Sequence, residues 1–411
     1  MLRRRPLNPP TSPKHSIFRV RHQLRKVNEK AYDPEVLAIG PYHHGNDNFK
    51  ITEEQKQRYL QQLLERRNEG SIDRYMSALR ELEPPPRNCY AGTINSSLEG
   101  DNFLMMMVTD GCFIVELFRK VIRRVPIDQD DPVMHVRWIG TNITRDLLLL
   151  ENQIPLVVLS KLYDLTKGPE EDDNFSNVAD KFFNSVLGES KGEGESQGEH
   201  LLHLYHMRRT SGLPKTPSKT QQDCTLAMSS ATEKDWIPSA TELRESGVSF
   251  KAAQGSGLSG FKFGNGTLEI PFLRVDDETE SRLRNLVAYE QHRQSKGINY
   301  FTDYVVFMDC LINTSNDVKV LCRKGIIKNY LDDDEAVVQM FNKICDHVAI
   351  YNFYYSEIFL KVNAYCDVWT VRLRRAYIHS PWALLPVPVA FSLLLTAVQT
   401  VFSILSYTKQ S

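Results

Sequence analysis

Apolar residues in the first half of the chain recur mostly at the spacing of an α-helix. Asp101 can cap a helix, and apolar side chains from Phe103 to Leu117 follow it at intervals of three and four residues. Residues 142–165 form a second apolar run with helical character, which Pro155 interrupts. The pattern predicts two apolar helices, the second of them broken near its middle.

A helix start is also predicted at Thr52, because Thr52 and Gln55 have the spacing of a capping box. The apolar side chains of Tyr59 and Leu63 would then share one face of that helix. Residues 40–45, which are rich in glycine and histidine, predict a turn ahead of it.

Four further helices are predicted in the second half, over residues 281–294, 300–314, 332–348 and 351–375. Residues 248–251 and 261–270 have a strand-like composition, and Asn265-Gly266 is a strong signal for a tight β-hairpin. The expected fold class is therefore mainly α, a large helical domain with a small β-hairpin element.

The carboxyl-terminal segment differs from the rest of the chain. Residues 376–408 contain no Asp, Glu, Lys or Arg, although 25% of all residues are charged. Within this segment, residues 388–407 would form a helix about 30 Å long, which is the thickness of a bilayer core. We expect one C-terminal transmembrane helix, with residues 381–407 as the anchor, in preference to a buried helix of a soluble protein.

The charges that flank this segment predict its orientation. Arg372, Arg374 and Arg375 precede it, whereas Lys409 alone follows it. Basic residues beside a membrane span favour the cytosolic side. The expectation is a single-pass, tail-anchored protein whose large helical body is cytosolic, in a membrane that the sequence does not specify.

Polar residues repeat along one face of the expected anchor, and they suggest a homo-oligomer formed through the membrane helix. Small and hydrogen-bonding side chains are used by membrane helices to associate. The alternative is that these side chains bond to their own helix. The stripe consists of Ser392, Thr396, Gln399, Ser403 and Ser406.

Shifts in composition divide the chain into segments. Residues 210–235 are rich in Ser, Thr, Pro and Lys, which is typical of a linker or long loop. The expected organisation is a disordered tail (1–16), two halves of one helical domain (17–209 and 236–380) joined by that variable segment (210–235), the anchor (381–407) and a short tail (408–411).

The balance of charge argues against one class of partner, nucleic acids. The 411 residues include 50 Lys and Arg against 51 Asp and Glu, so the chain lacks the basic footprint of a nucleic-acid-binding protein. Its seven cysteines are scattered and odd in number, which favours reduced thiols over a disulfide framework. No nucleic-acid partner is expected.

Three acidic residues interrupt apolar helical stretches and are candidates for buried sites. They are Asp110, Glu151 and Glu290. A buried acid needs a partner, and the expected partners are Arg145, Arg284, Asn152 and Gln153. Structural networks are the favoured interpretation, and acid–base chemistry by paired carboxylates is the alternative.

Histidines provide the remaining candidates for chemistry. His43 and His44 lie in the predicted turn, where they could bind a metal or titrate near neutral pH, although a structural turn is favoured. His200, His203 and His206 are expected to form the polar edge of a short amphipathic helix rather than a zinc site. The glycine pattern of residues 255–260 resembles a dinucleotide fingerprint but precedes a hairpin, so we expect no cofactor.

Several short motifs resemble one known family, the plant domain of unknown function 247 family. They are the sequences at residues 39–45 (IGPYHHG), 110–113 (DGCF), 150–155 (LENQIP) and 285–291 (NLVAYEQ), the Pro381-Trp382 pair and the Gln399-Thr400 pair. The resemblance implies a plant protein with a C-terminal membrane helix and no established enzymatic activity. Some members are associated with self-incompatibility in grasses as pollen-side determinants, and others with development or stress.

The expected function is that of a non-catalytic, membrane-anchored protein that presents an interaction or signalling surface. Its partners would be the lipid bilayer and an unidentified protein. One alternative is a membrane-bound, hydrolase-like enzyme that uses the buried carboxylates. Another is a cell-surface recognition determinant, which would require the opposite membrane topology.

Overall fold

The computed structural model describes residues 15–94, 96–188, 198–214, 216, 236–253, 258–293, 297–350, 353–368 and 386–410. Helices of the first half are α1 (His22–Val27), α2 (Lys50–Arg67), α3 (Asp73–Arg80), α4 (Asp101–Val121), α5 (Pro132–His135), α6 (Arg137–Asp146), α7 (Leu156–Thr166), α8 (Phe175–Leu187) and α9 (Leu201–Arg209). Those of the second half are α10 (Ala240–Glu245), α11 (Thr279–His292), α12 (Tyr300–Leu311), α13 (Ser315–Arg323), α14 (Asp334–Ile344), α15 (Ser356–Cys366) and α16 (Pro386–Gln410).

Short strands complete the second half and confirm the predicted hairpin. Strands β2 (Lys262–Gly264) and β3 (Thr267–Ile270) pair antiparallel, and both turn residues, Asn265 and Gly266, have positive φ. Strand β1 (Ser249–Ala252) joins β3 in parallel. A separate parallel pair consists of β4 (Leu273–Val275) and β5 (Ile327–Asn329). The prediction of a mainly helical protein with a few small strands is confirmed.

Helix α4 lies at the centre of the first half. Every side chain of residues 106–120 is buried, so this helix is enclosed on all sides. Gly111 lets α7 approach closely, because a Cβ atom at this position would lie 2.3 Å from Cδ1 of Leu162. Helices α2, α3, α7 and α8 pack around α4. One continuous hydrophobic core then extends from these helices into α11–α15 of the second half.

Two predicted helix boundaries in the first half are wrong. Helix α2 begins at Lys50 rather than Thr52, because the Thr52 hydroxyl donates to the carbonyl oxygens of Val36 and Phe49 and caps no helix. In the apolar run of residues 142–165, helix α6 ends at Asp146, well before Pro155. Pro155 instead lies immediately ahead of α7.

The expected C-terminal transmembrane helix is not supported by the structure. Within the described ranges, none of the helices combines the length and the apolar character that crossing a bilayer requires. The prediction counted the missing charges, but hydroxyl and amide side chains such as Ser392, Thr396 and Gln399 also reduce apolarity. The descriptions membrane, single-pass and tail-anchored, and the predicted membrane location with a cytosolic body, are therefore contradicted. The arginines of residues 372–375 lie outside the described residues.

Candidate functional site

Residues 35–40 are held by buried side chains rather than by regular secondary structure. They are the five residues ahead of the predicted histidine turn and Gly40, which begins that turn. We call residues 35–40 the clamped segment. The Asp146 carboxylate accepts the backbone N–H groups of Glu35, Val36 and Leu37 at 2.8–3.1 Å. Asp146 is itself completely buried, so these bonds replace the water that its oxygens would otherwise bind.

Two further polar side chains hold the middle of the clamped segment. The Asn152 amide accepts from the Ile39 N–H at 2.7 Å and donates to the Leu37 carbonyl at 2.8 Å. The Lys56 ammonium donates to the Ala38 carbonyl. Backbone groups that a neighbouring strand would satisfy in a sheet are satisfied here by side chains from α2 and from the loop after α6.

Asp110, one of the three predicted buried acids, secures the end of the clamped segment. Its carboxylate accepts the Gly40 N–H at 2.8 Å and pairs with the Lys56 ammonium at 2.7 Å. Gly40 has φ +73°, and a Cβ atom there would lie 2.4 Å from the Gln153 carbonyl oxygen. Only glycine fits both the left-handed backbone and this close approach.

The other two predicted acids have the same kind of role elsewhere. Glu151 accepts the Val20 N–H at 2.7 Å and lies 3.1 Å from the Arg25 guanidinium. Glu290 accepts the N–H groups of Phe301 and Thr302 at the start of α12, at 3.0 and 2.8 Å. Each carboxylate therefore bonds to backbone groups distant in sequence, and Asp110 and Glu290 belong to different networks.

The predicted partners of these acids are wrong. Asp110 pairs with Lys56, Glu151 with Arg25 and Arg19, and Glu290 with His206 at 2.7 Å. The residues expected in these roles bond to other groups, since Arg145 pairs with Asp146, Arg284 with Glu280, and Asn152 and Gln153 with backbone. Sequence distance explains the error, because each true partner lies more than 50 residues away.

His43 and His44 lie in a turn that ends at Gly45, whose φ is +80°. Burial lowers the pKa of His43, and no described group bonds its buried Nε2 atom. Across the described residues, groups of three or more His, Cys, Asp or Glu placed to hold a metal ion do not occur.

The three histidines of α9 do not form a polar edge, contrary to the prediction. His200, His203 and His206 are all buried, and their rings pack against the ring of Tyr289 at centroid distances of 5.2–5.5 Å. Burial lowers the pKa of His200 to about 3, so this imidazole is neutral. The cluster joins α9 to α11, and so joins the two halves of the chain.

The polar stripe of the C-terminal segment lies on helix α16. The Ser392 hydroxyl donates to the Val389 carbonyl, and the Thr396 hydroxyl donates to the Ser392 carbonyl. Both side chains therefore bond to their own helix, which is the alternative considered for the stripe. Gln399 lies on the same helix, as do the backbones of Ser403 and Ser406, whose side chains are outside the described part.

A large cleft opens where the two halves of the chain meet. Its volume is about 920 Å³, and its walls come from α4–α6, α8 and α9 of the first half and from β4, β5, α11 and α12 of the second. Pockets for small molecules in proteins typically measure about 300–1,000 Å³. The cleft is therefore of ligand size.

Chemically, the cleft has an apolar floor and a basic rim. The floor includes the buried side chains of Leu117, Leu148 and Leu286. Of the described residues that line the cleft, six are basic and two, Asp276 and Glu278, are acidic. The basic residues are Arg137, Arg145, Arg209, Arg274, Arg282 and Lys328.

The rim is most basic at the β4–β5 pair. Arg274 and Lys328 are direct neighbours across these two strands. The Arg274 guanidinium lies 4.6 Å and the Lys328 ammonium 4.9 Å from the centroid of the Tyr330 ring. Asp276 pairs with Arg274 at 3.1 Å. Like charges opposite each other in a sheet repel, so this arrangement favours an anion.

A second charged group connects the cleft to the clamped segment. Arg145 pairs with Asp146 at 2.7 Å, donates to the Lys30 carbonyl and lies 3.4 Å from the Glu278 carboxylate. Burial raises the pKa of Glu278 to about 7 and that of Asp146 to about 6, although Arg145 lowers both. Glu278 lines the cleft, and Asp146 lies behind the cleft wall as the partner of Arg145, so burial raises the pKa of a carboxyl group on each side of Arg145.

Sequence reasoning did not identify the residues of this cleft. Asp146, which pairs with Arg145 behind the cleft wall, gave a usable signal, because an acid beside an arginine inside the apolar run of residues 143–150 resembles the acids that were selected. No sequence signal pointed to Arg274, Glu278 or Lys328, because isolated charges near short strands are common on protein surfaces.

Comparisons with known proteins place the chain in a family. The family described as "plant protein of unknown function", DUF247, matches residues 17–396. UPF0481 protein At3g47200 of Arabidopsis thaliana is 31% identical, over 95% of this chain and 86% of the relative. The putative UPF0481 protein At3g02645 of the same plant is 24% identical, over 95% and 90%. No solved structure gives a significant match. The chain therefore belongs to the DUF247 family of plant proteins.

Proposed function

We propose that this protein is a non-catalytic binding protein whose interaction site is the cleft between its two halves. The observation that carries the proposal is the combination of a ligand-sized cavity, an apolar floor and an excess of basic over acidic lining residues. Pockets that bind small molecules are mostly apolar and contain a few polar groups that orient the ligand.

The buried acids support the non-catalytic part of the proposal. Asp110, Glu151 and Glu290 each accept backbone N–H groups and pair with a basic side chain. A carboxylate whose oxygens are engaged in this way stabilises the fold and is poorly placed to exchange protons with a substrate.

A variant that narrows the cleft tests the binding role. Gly140 lies on α6 in the cleft wall, where the nearest atom to an added Cβ is the Val133 carbonyl oxygen at 3.6 Å. A Cβ added at position 140 meets no close contact, so Gly140→Leu should place its side chain at the cleft wall, narrow the cleft, and improve helix propensity by about 1 kcal/mol. Binding of the fluorescent probe 8-anilinonaphthalene-1-sulfonate should weaken at least tenfold.

Gly70→Leu is the matched control, since Gly70 is exposed and nothing lies within 4 Å of a Cβ added there. This variant should bind the probe as the natural chain does. Equal binding by the natural chain and Gly140→Leu would contradict the cleft as the binding site.

The absence of catalysis is tested with 2-naphthyl acetate and 2-naphthyl phosphate as general hydrolase substrates. The protein should release no 2-naphthol above the level of the heat-denatured protein. Turnover that disappears in Glu290→Gln, while the melting temperature is unchanged, would favour the hydrolase alternative instead.

A further inference from the structure

The cation pair on the cleft rim indicates what kind of group a ligand would present. Arg274 and Lys328 share the Tyr330 ring and stand opposite each other on β4 and β5. Asp276 pairs with Arg274, and in the described residues no ion pair reaches Lys328. One carboxylate for two cations leaves a positive charge that an anion would neutralise.

A phosphate suits this pair better than a carboxylate. The Arg274 guanidinium offers a planar fork of donors and the Lys328 ammonium a compact charge, so together they require an acceptor with several oxygens. A phosphate monoester has three terminal oxygens and close to two negative charges at neutral pH. Such a group can accept from both side chains at once.

The rest of the cleft indicates the body of the ligand. Inorganic phosphate alone would leave most of the 920 Å³ unfilled. Rim residues Phe272 and Tyr330 are 54% and 49% exposed, and the floor below them is formed by apolar side chains such as Leu148 and Leu286. Covering this surface with an aromatic or aliphatic group would remove apolar area from water.

We infer that the cleft binds a phosphorylated small molecule with an aromatic or aliphatic body, its phosphate held by Arg274 and Lys328 beside Tyr330. This inference rests on the proposed function, since it names the ligand class of the same cleft. It adds an orientation of the ligand, with the phosphate at the β4–β5 rim and the apolar body on the floor.

Isothermal titration of the full chain with four probes tests the inference. The probes are 2-naphthyl phosphate, 2-naphthoate, 2-naphthol and inorganic phosphate. We expect 2-naphthyl phosphate to bind at least tenfold more tightly than each of the other three. Its affinity should also fall as salt is added, because both cations are exposed to solvent.

Paired variants locate the phosphate. The double variant R274Q/K328Q should weaken 2-naphthyl phosphate at least tenfold and leave 2-naphthol unchanged. The double variant K262Q/R323Q removes the same charge from exposed positions outside the cleft and should change neither affinity. Thermal melts should show that both double variants remain folded.

The outcomes separate this inference from the proposed function. Equal affinities for 2-naphthyl phosphate and 2-naphthol, both lost in Gly140→Leu, would overturn the phosphate and leave the binding cleft intact. Equal affinities for the phosphate and 2-naphthoate would overturn the choice of phosphate. No binding of any probe, including the sulfonate used above, would overturn the proposed function as well. Equal losses in the two double variants would place the anion elsewhere.

Discussion

Charged side chains hold the clamped segment and also line the cleft, but the two sets of charges have different partners. Asp110 and Asp146, which hold the clamped segment, are almost completely buried and bond to its backbone N–H groups and to Lys56 or Arg145. On the cleft rim, Arg274 and Lys328 are exposed and share a tyrosine ring.

This difference separates charges that stabilise the fold from charges available to a ligand. Removing one member of a buried, bonded pair leaves an uncompensated charge in a low-dielectric interior, which costs several kcal/mol. Removing an exposed charge costs little stability. Substitutions of the clamped segment or of the buried acids should therefore change the free energy of unfolding, and substitutions on the cleft rim should change binding.

The largest effect is expected at Asp146. Asp146→Ala would remove the acceptor of three backbone N–H groups and the partner of Arg145. We expect a loss of about 3–5 kcal/mol in the free energy of unfolding, measured by urea denaturation. Asp146→Asn retains one acceptor oxygen and should lose less. A loss below about 1 kcal/mol for the alanine variant would show that the clamped segment is held by other contacts.

Gly40 comes next. Gly40→Ala should cost about 2 kcal/mol or more, because the left-handed backbone penalises a Cβ and the Gln153 carbonyl oxygen would lie only 2.4 Å from it. The control is Gly45→Ala, which has φ +80° and open space around the added Cβ, and should lose only about 1 kcal/mol. Thermal melts of the two variants measure the difference, and equal losses would contradict the close approach.

A smaller effect is expected at Glu151. In Glu151→Gln the amide oxygen can still accept the Val20 N–H, while the ion pair with the partly exposed Arg25 is lost. The free energy of unfolding should fall by about 1 kcal/mol, as read from the denaturant midpoint. Arg25 keeps its ion pair with Asp33 at 2.6 Å, so the loss of stability stays moderate. An unchanged midpoint would show that the ion pair between Glu151 and Arg25 contributes no net stability.

A pH dependence of the free energy of unfolding is expected at Glu278. Its pKa in the folded protein is raised from about 4.5 to about 7, so the folded state binds the proton more tightly than the unfolded state. That contribution to stability is complete below pH 4.5 and is lost as the pH rises through 7. The charged groups around Glu278 are Arg145, Glu35, Asp276 and Asp146.

Glu278→Gln should therefore flatten the decline in the free energy of unfolding between pH 5 and pH 7, as followed by urea denaturation at several pH values. Asp146 contributes a decline of the same sign at somewhat lower pH, because its pKa is about 6, and that part should persist. An unchanged slope in the variant would show that Glu278 has an ordinary pKa.

Much of the local structure could be predicted from the sequence. Asn265-Gly266 specifies a hairpin by backbone preference alone, and the apolar stripe behind Asp101 marked the central helix α4 to within a residue of its start. Predictions failed where a distant group competes with a local one. Thr52 has capping-box spacing, yet its hydroxyl bonds to the Val36 carbonyl.

The prediction of a transmembrane helix in the C-terminal segment failed for another reason. A count of charges does not measure apolarity, and helix α16, with Ser392, Thr396 and Gln399 along it, does not meet the requirements of a span. The acids were selected correctly as buried and bonded, since Asp110, Glu151 and Glu290 are all at most 3% exposed. Their partners were beyond prediction, because the contacts join residues far apart in the chain.

By itself, the sequence determined the mainly helical class, the hairpin, the family and which acids must be buried, although its predicted transmembrane helix is not supported. These features depend on local periodicity, backbone preference and the cost of burying a charge. Only the tertiary structure decided which backbone groups those acids bind and that Arg274 and Lys328 meet at the rim of a cleft. The physical reason is that both depend on the packing of α4, α6, α11 and the β4–β5 pair against one another, and no local pattern encodes that packing.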